Sequence, residues 1–130
     1  MEKDWITAYI CKLTKHYYNM EIVNNWISNL VNDINSALSE VGKGKADFDK
    51  EENIVVFPDS IIEFTVNENA LHFTKLTREN KRQVGKIIVL TDGLSYKIKD
   101  ERNETIAKVN EIPDMINNVF SYLLVTMRER

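Results

Sequence analysis

Cysteine occurs once in the chain, at Cys11. A single thiol excludes an intrachain disulfide and a thiolate metal cage, and it fits a reducing compartment. Histidine occurs twice, at His16 and His72. The two fall in different predicted elements, so no zinc-type ligand set with its spacing can be assembled from them. Glycine and proline are scarce, at four and two residues, and no segment reads as a linker or a repeat. No run approaches the ~20 apolar residues that a membrane-spanning helix needs. The opening segment, MEKDWITAYICKLTKHYY, interleaves charges with apolar side chains and offers neither an uninterrupted apolar stretch nor a small-residue cleavage site. A cytoplasmic protein is expected. The abundance of Asn, Ile and Lys matches a bias common in AT-rich bacterial genomes. Neither sign of charge dominates: the formal net charge is -3, whereas dedicated nucleic-acid binders are usually basic with clustered charge.

What is present is a soluble globular composition, 43% hydrophobic and 28% charged over 130 residues, enough for a single domain with a real core. Residues 3–41 carry apolar side chains at intervals of three and four, including Ile6, Ile10, Leu13, Tyr17, Met20, Ile27, Val31, Ile34, Leu38 and Val41, the pattern of a helix. Tyr9, Val23, Leu30 and Ala37 widen the stripe beyond a coiled-coil seam, so the helix is expected to lie on a sheet. An unbroken helix of that length would run to ~60 Å, against a diameter of roughly 36 Å for a compact domain of this size. A break near residues 17–20 is the natural solution, with Asn19 as a cap for a second helix.

The stretch VGKGKADF, residues 41–48, resembles a phosphate loop in composition. Its order is wrong for one, because the glycines follow a helix instead of leading into a helix N-terminus. Gly42 is expected to stop the helix, with Lys43 and Lys45 beside its negative end. From there to about Val109 the apolar period is two. ADFDK, NIVVF, IIEFTVN, ALHFTKL, KIIVLT, LSYKIK and TIAKV read as strands, with turns at Glu68-Asn69 and Asp92-Gly93. No helical pattern interrupts them, so an antiparallel meander of about five to seven strands is expected. Pro113 and Asp114 then open a C-terminal helix reaching about Met127, with Ile116, Val119, Phe120 and Leu123 on one face. The whole, residues 1–130, reads as one α+β domain with both helices on the same face of the sheet.

The hairpins predict which side chains share a face. Phe64 opposite Phe73 and Val66 opposite Leu71 are assigned to the core, and Thr65 opposite His72 and Glu63 opposite Thr74 to the other side. A turn at Asp92-Gly93 pairs Val89 with Tyr96 and Ile87 with Ile98. It leaves Ile88 and Leu90 as two aliphatics on a polar face, opposite Lys97 and Ser95, to be covered either by the N-terminal residues or by a partner. Tyr18, Ile22 and Trp26, spaced by four, form a second apolar strip away from the main helix seam, with Trp5 nearby.

No constellation of groups predicts catalysis. Cys11 has Lys12 and Lys15 as neighbours but no histidine at helical spacing on its face. Asp47-Asp49-Glu51-Glu52 and Asp100-Glu101-Glu104 lack the offsets of a calcium loop and read as solvated, charge-protected edges and turns. The one basic cluster, Lys75, Arg78, Lys81, Arg82 and Lys86, has no interleaved aromatic to stack bases; Lys81 and Arg82 are its candidates for an anion contact. No catalytic residue, metal or cofactor is expected. The reading that follows is a non-enzymatic protein-binding module, such as an adaptor, inhibitor, immunity-type protein or small chaperone. It would act on itself, as a homodimer, or on a protein partner, through Tyr18, Ile22 and Trp26 or through Ile88 and Leu90. The alternative is a carrier of a small apolar molecule or lipid in a pocket between helix and sheet, lined by Phe64, Phe73, Tyr96 and Met20.

Overall fold

The computed structural model describes residues 5, 6, 9, 20–67, 70–92 and 95–127. Within them helix α1 spans Met20–Val41. Seven strands follow: β1 Asp47–Asp49, β2 Ile54–Val56, β3 Ile61–Asn67, β4 Ala70–Leu76, β5 Gln83–Asp92, β6 Ser95–Lys99 and β7 Thr105–Val109. Helix α2 covers Ile112–Ser121 and runs on into a π-helical turn, Tyr122–Thr126. The sheet order is β1-β2-β3-β4-β5-β6-β7, every pair antiparallel. It is a pure meander, as the unbroken period of two requires. The proposed break near residues 17–20, the Asn19 cap and Tyr18 lie outside the described residues.

Alpha1 ends where the glycines begin. Gly42 takes a left-handed φ of 64°, and its N–H donates to the Leu38 carbonyl at 2.8 Å. This is a C-terminal stop, and the left-handed backbone is why glycine stands there. The side chain of Asn35, about two turns earlier, then fastens the chain to the helix. Its Nδ2 donates to the Ala46 carbonyl at 2.8 Å, and its Oδ1 accepts from the Ala46 N–H at 2.6 Å. Asn35 thus pairs with Ala46 as a strand neighbour would, which places the start of β1 beside α1.

Both helices cover one face of the sheet. Val23, Ile27 and Val31 of α1 and Met115, Ile116, Val119 and Phe120 of α2 meet Val55, Ile62, Phe64, Leu71, Phe73, Ile87, Val89 and Ile98 in one core. The aromatic rings form a chain of contacts through it. Phe48 lies 6.0 Å from Phe64, Phe64 5.5 Å from Phe73, Phe73 5.8 Å from Phe120 and Phe120 6.1 Å from Phe57. Val66 has the expected partner, Leu71, but it stays 44% exposed; it is on the core side of β3 at a point the helices do not reach.

Three features depart from the sequence expectation. Val89 pairs with Ile98, Thr91 with Tyr96, Leu90 with Lys97 and Ile88 with Lys99, so the register of this hairpin differs from the one Asp92-Gly93 implied. Asp92 itself pairs with Ser95, which moves the loop on by one residue and the pairing by two. A shift of two preserves the faces, because side chains alternate with a period of two. Second, β4 and β5 carry a register shift at Lys75/Leu76, with Val84 as the extra residue, and β6 and β7 carry one at Ile98/Lys99, with Ile106 extra. Such bulges bend and twist the strands they interrupt. Third, Pro113 is the second helical residue, not the first, because α2 starts at Ile112. The expected α-helix to Met127 becomes a π turn from Tyr122, closed by the Met127 N–H donating to the Tyr122 carbonyl at 2.8 Å.

Gly85 explains that last turn. A Cβ at this position would overlap the sulfur of Met127 and press on Leu123. The bare strand backbone lets Leu123, fully buried, and Met127 settle directly on β5. A close approach of this kind is one of the few uses of glycine inside a strand.

Candidate functional site

The face of the sheet away from α1 and α2 carries a distinctive grouping of side chains among the described residues. Counting along β5, Lys86, Ile88 and Leu90 alternate with the core residues Ile87 and Val89 and so point to the open side. Lys99 stands opposite Ile88, Lys97 opposite Leu90, and Lys108 opposite Lys97. On the other flank His72 is opposite Ile88 and Ala70 opposite Leu90. The aliphatic pair of β5 thus lies beside lysines on β6 and β7, with Lys86 further along β5 itself. Ile88 and Leu90 are half-buried, as are Lys86, Lys97 and Lys99, consistent with lysine stems lying over aliphatic neighbours while their charged ends reach water. Glu63 is the carboxylate of β3 on this side, and it pairs with Thr74.

His72 stands on this face, opposite Ile88. Its pKa is lowered, first by partial burial and second by the positive charge of Lys86.

A second exposed surface runs along the outside of α1. Ile22 and Trp26 are 42% and 41% exposed, and Asn29, Asp33 and Glu40 continue the same stripe in the open. Trp5, Ile6 and Tyr9 are exposed and helical. Of the expected partner-binding residues, Ile22, Trp26, Ile88 and Leu90 are thus described, on two separate surfaces.

The basic cluster does not converge. Lys75 is 3% exposed on the helix side of β4, between Ile62 and Gly85, while Lys86 is on the open side. Arg78 donates to the Pro58 carbonyl at 3.1 Å. Only Lys81 and Arg82 remain side by side and exposed, in a loop built around Thr77. The Thr77 hydroxyl donates to the Asn80 amide oxygen and accepts from the Arg82 N–H at 3.0 Å, with Lys81 in the left-handed region at φ 54°.

The carboxylate runs prove to be turn-builders. Asp49 Oδ1 accepts from the N–H groups of Glu51 and Glu52 at 3.1 and 3.2 Å. Asp100 Oδ1 accepts from those of Arg102 and Glu104 at 2.9 and 3.0 Å. Both are local side-chain caps of hairpin turns. Among the described residues no three of His, Cys, Asp and Glu come together as a metal could use; Cys11 and His16 lie outside them. A cleft of about 240 Å³ opens between α1 and β1, lined by residues that include Asn32, Asn35, Phe48 and Lys50. Phe64, Phe73, Tyr96 and Met20, the suggested lining of a carrier pocket, do not border it. Phe64 and Phe73 are instead buried against other rings, and Tyr96 and Met20 pack at the edge of that core.

The lysine grouping on the open face was not evident from the sequence. Its signal is present as alternation in KIIVL, SYKIK and AKV, but assembling it requires the strand order and both register shifts. Among the described residues no helix is long and apolar enough to cross a membrane. No protein-family model, curated protein or solved structure matches this chain.

Proposed function

We propose that this chain is a non-enzymatic protein-binding module. The observation that carries the reading is the sheet face opposite α1 and α2, where among the described residues no helix covers Ile88 and Leu90, while two helices close the other face. Aliphatic side chains in the middle of a face rimmed by charge have the layout of an interaction surface, apolar at the centre and polar at the rim. Trp26 and Ile22 on α1 supply a second patch, of the residue types enriched where proteins meet.

A photoreactive phenylalanine analogue placed at Leu90, and separately at Trp26, tests this in cells that make the protein. The expected result is a discrete protein adduct from at least one position, either with another chain or with a second copy. Failure to trap any protein at either position would remove the reading.

A further inference from the structure

We infer that the cleft between α1 and β1 takes an extended, basic peptide of a partner protein, which pairs with the edge of the sheet at Phe48. The cleft is apart from the two surfaces above, so this goes beyond the binding-module reading. Backbone pairing locates the site. Phe57 and Ser60 exchange N–H···O bonds across the turn that joins β2 to β3. Such pairs alternate along an antiparallel ladder, so Val55 gives its N–H and C=O to Ile62 of β3. None is left for its partner on β1, Phe48. The Phe48 N–H and C=O therefore point outward from β1, the first strand of the sheet, and no described residue bonds them. Its ring, 6.0 Å from that of Phe64, holds the backbone in place. Ala46, two residues earlier, points the same way, and there Asn35 fills the position of a strand neighbour with two bonds. At Phe48 the helix supplies no such partner. A cleft of about 240 Å³ lies there instead, bordered by Ser28 and Asn32 of α1.

The pairing at Ala46 shows which chemistry fits this edge: a planar amide that gives one N–H and one C=O. Peptide backbone is the repeating form of that group, and addition of a strand to a sheet edge is a general mode of peptide recognition. Flanking charge selects the peptide. Asp47 and Asp49 alternate with Phe48 and are exposed; they stand opposite the residues on either side of the one that pairs with Phe48. The β1 strand of a second copy would set carboxylates against carboxylates, which is destabilising. Lysine or arginine at alternate positions would meet them with the opposite sign. The cations already at hand are Lys45, 3.5 Å from Asp47, and Lys50 at the border of the cleft. Both are exposed, pairs of this kind are worth little, and Glu51 and Glu52 in the next turn leave the acidic sign in excess.

An NMR titration of the whole chain with a blocked pentapeptide, threonine-lysine-valine-lysine-threonine, is the test. The Phe48 amide proton should move downfield and exchange with solvent more slowly as it gains an acceptor. Methylating the valine nitrogen removes the donor that would meet the Phe48 carbonyl, and replacing both lysines by glutamate reverses the charge. Each change should weaken binding by about tenfold or more. Asn32→Trp, at an exposed position on the border of the cleft, should weaken it as much by filling the space, with the unfolding midpoint left in place. A Phe48 amide that does not respond at up to ~10 mM peptide, a methylated or glutamate peptide that binds as well as its parent, or a response unchanged in Asn32→Trp would each overturn the inference. Because the first two comparisons use the unaltered protein, misfolding of the variant cannot decide the outcome. Adducts at Leu90 or Trp26 beside a silent Phe48 would overturn this inference alone and leave the binding-module reading intact.

Discussion

At the scale of single residues, Phe73 is the test of the core. It is fully buried and touches two other rings, Phe64 and Phe120. Phe73→Ala should lower unfolding stability by ~3–5 kcal/mol in a urea titration, the usual range for a large aromatic truncated in a core. Val66→Ala, on the same side of the sheet but 44% exposed, should lower it by under ~1 kcal/mol. His72 gives a pH signature. Its folded pKa is lowered, so below its ordinary value of 6.5 the unfolded chain takes up this proton before the folded one does. The contribution of His72 is fully present above that value and is lost as pH falls toward the folded pKa. His72→Gln should flatten that part of the stability profile. Lys86→Met removes the second cause of the shift, and an NMR titration should then find the imidazole pKa moved upward; an unmoved value would show that burial alone sets it.

At the scale of elements, the joint between β5 and the end of the chain's last helix is the most exacting. Gly85→Ala places a methyl where Met127 now lies, and overpacking of that kind should destabilise by ~1–3 kcal/mol. Met127→Ala in the same chain should recover part of the loss, as measured by a double-mutant cycle. Asn35→Ala removes both bonds to Ala46 and should destabilise by ~1–3 kcal/mol, with amide exchange at Ala46 speeding up first. The existence of every strand, and the pairing of β3 with β4, was legible because apolar alternation and burial on one face dictate both. The β5–β6 register was not, since Asp92-Gly93 is a strong local turn signal and yet Asp92 pairs with Ser95. The bulges at Val84 and Ile106 and the π turn at Tyr122–Thr126 were invisible for a related reason. No local pattern encodes them; the π turn, for one, ends where Met127 packs on Gly85 of a distant strand.

At the scale of the molecule, the two faces of the sheet differ in kind. One is closed by helices and filled with aromatic and branched side chains. The other carries its apolar residues under a rim of lysines on a chain that is acidic as a whole, with a sequence pI near 5.4. Seven strands in sequence order also mean that each strand pairs with neighbours made just before and just after it. Contacts of short sequence separation of this sort favour rapid formation. The packing of α1 against α2 is the exception, since some 70 residues separate Val41 from Ile112. On a ribosome adding ~5–20 residues per second, the first of these helices emerges several seconds before the second exists. Val23, Ile27 and Val31 must spend that interval against a growing, half-roofed sheet. Vectorial synthesis thus has its most vulnerable moment between completion of the last hairpin and arrival of Phe120 and Leu123.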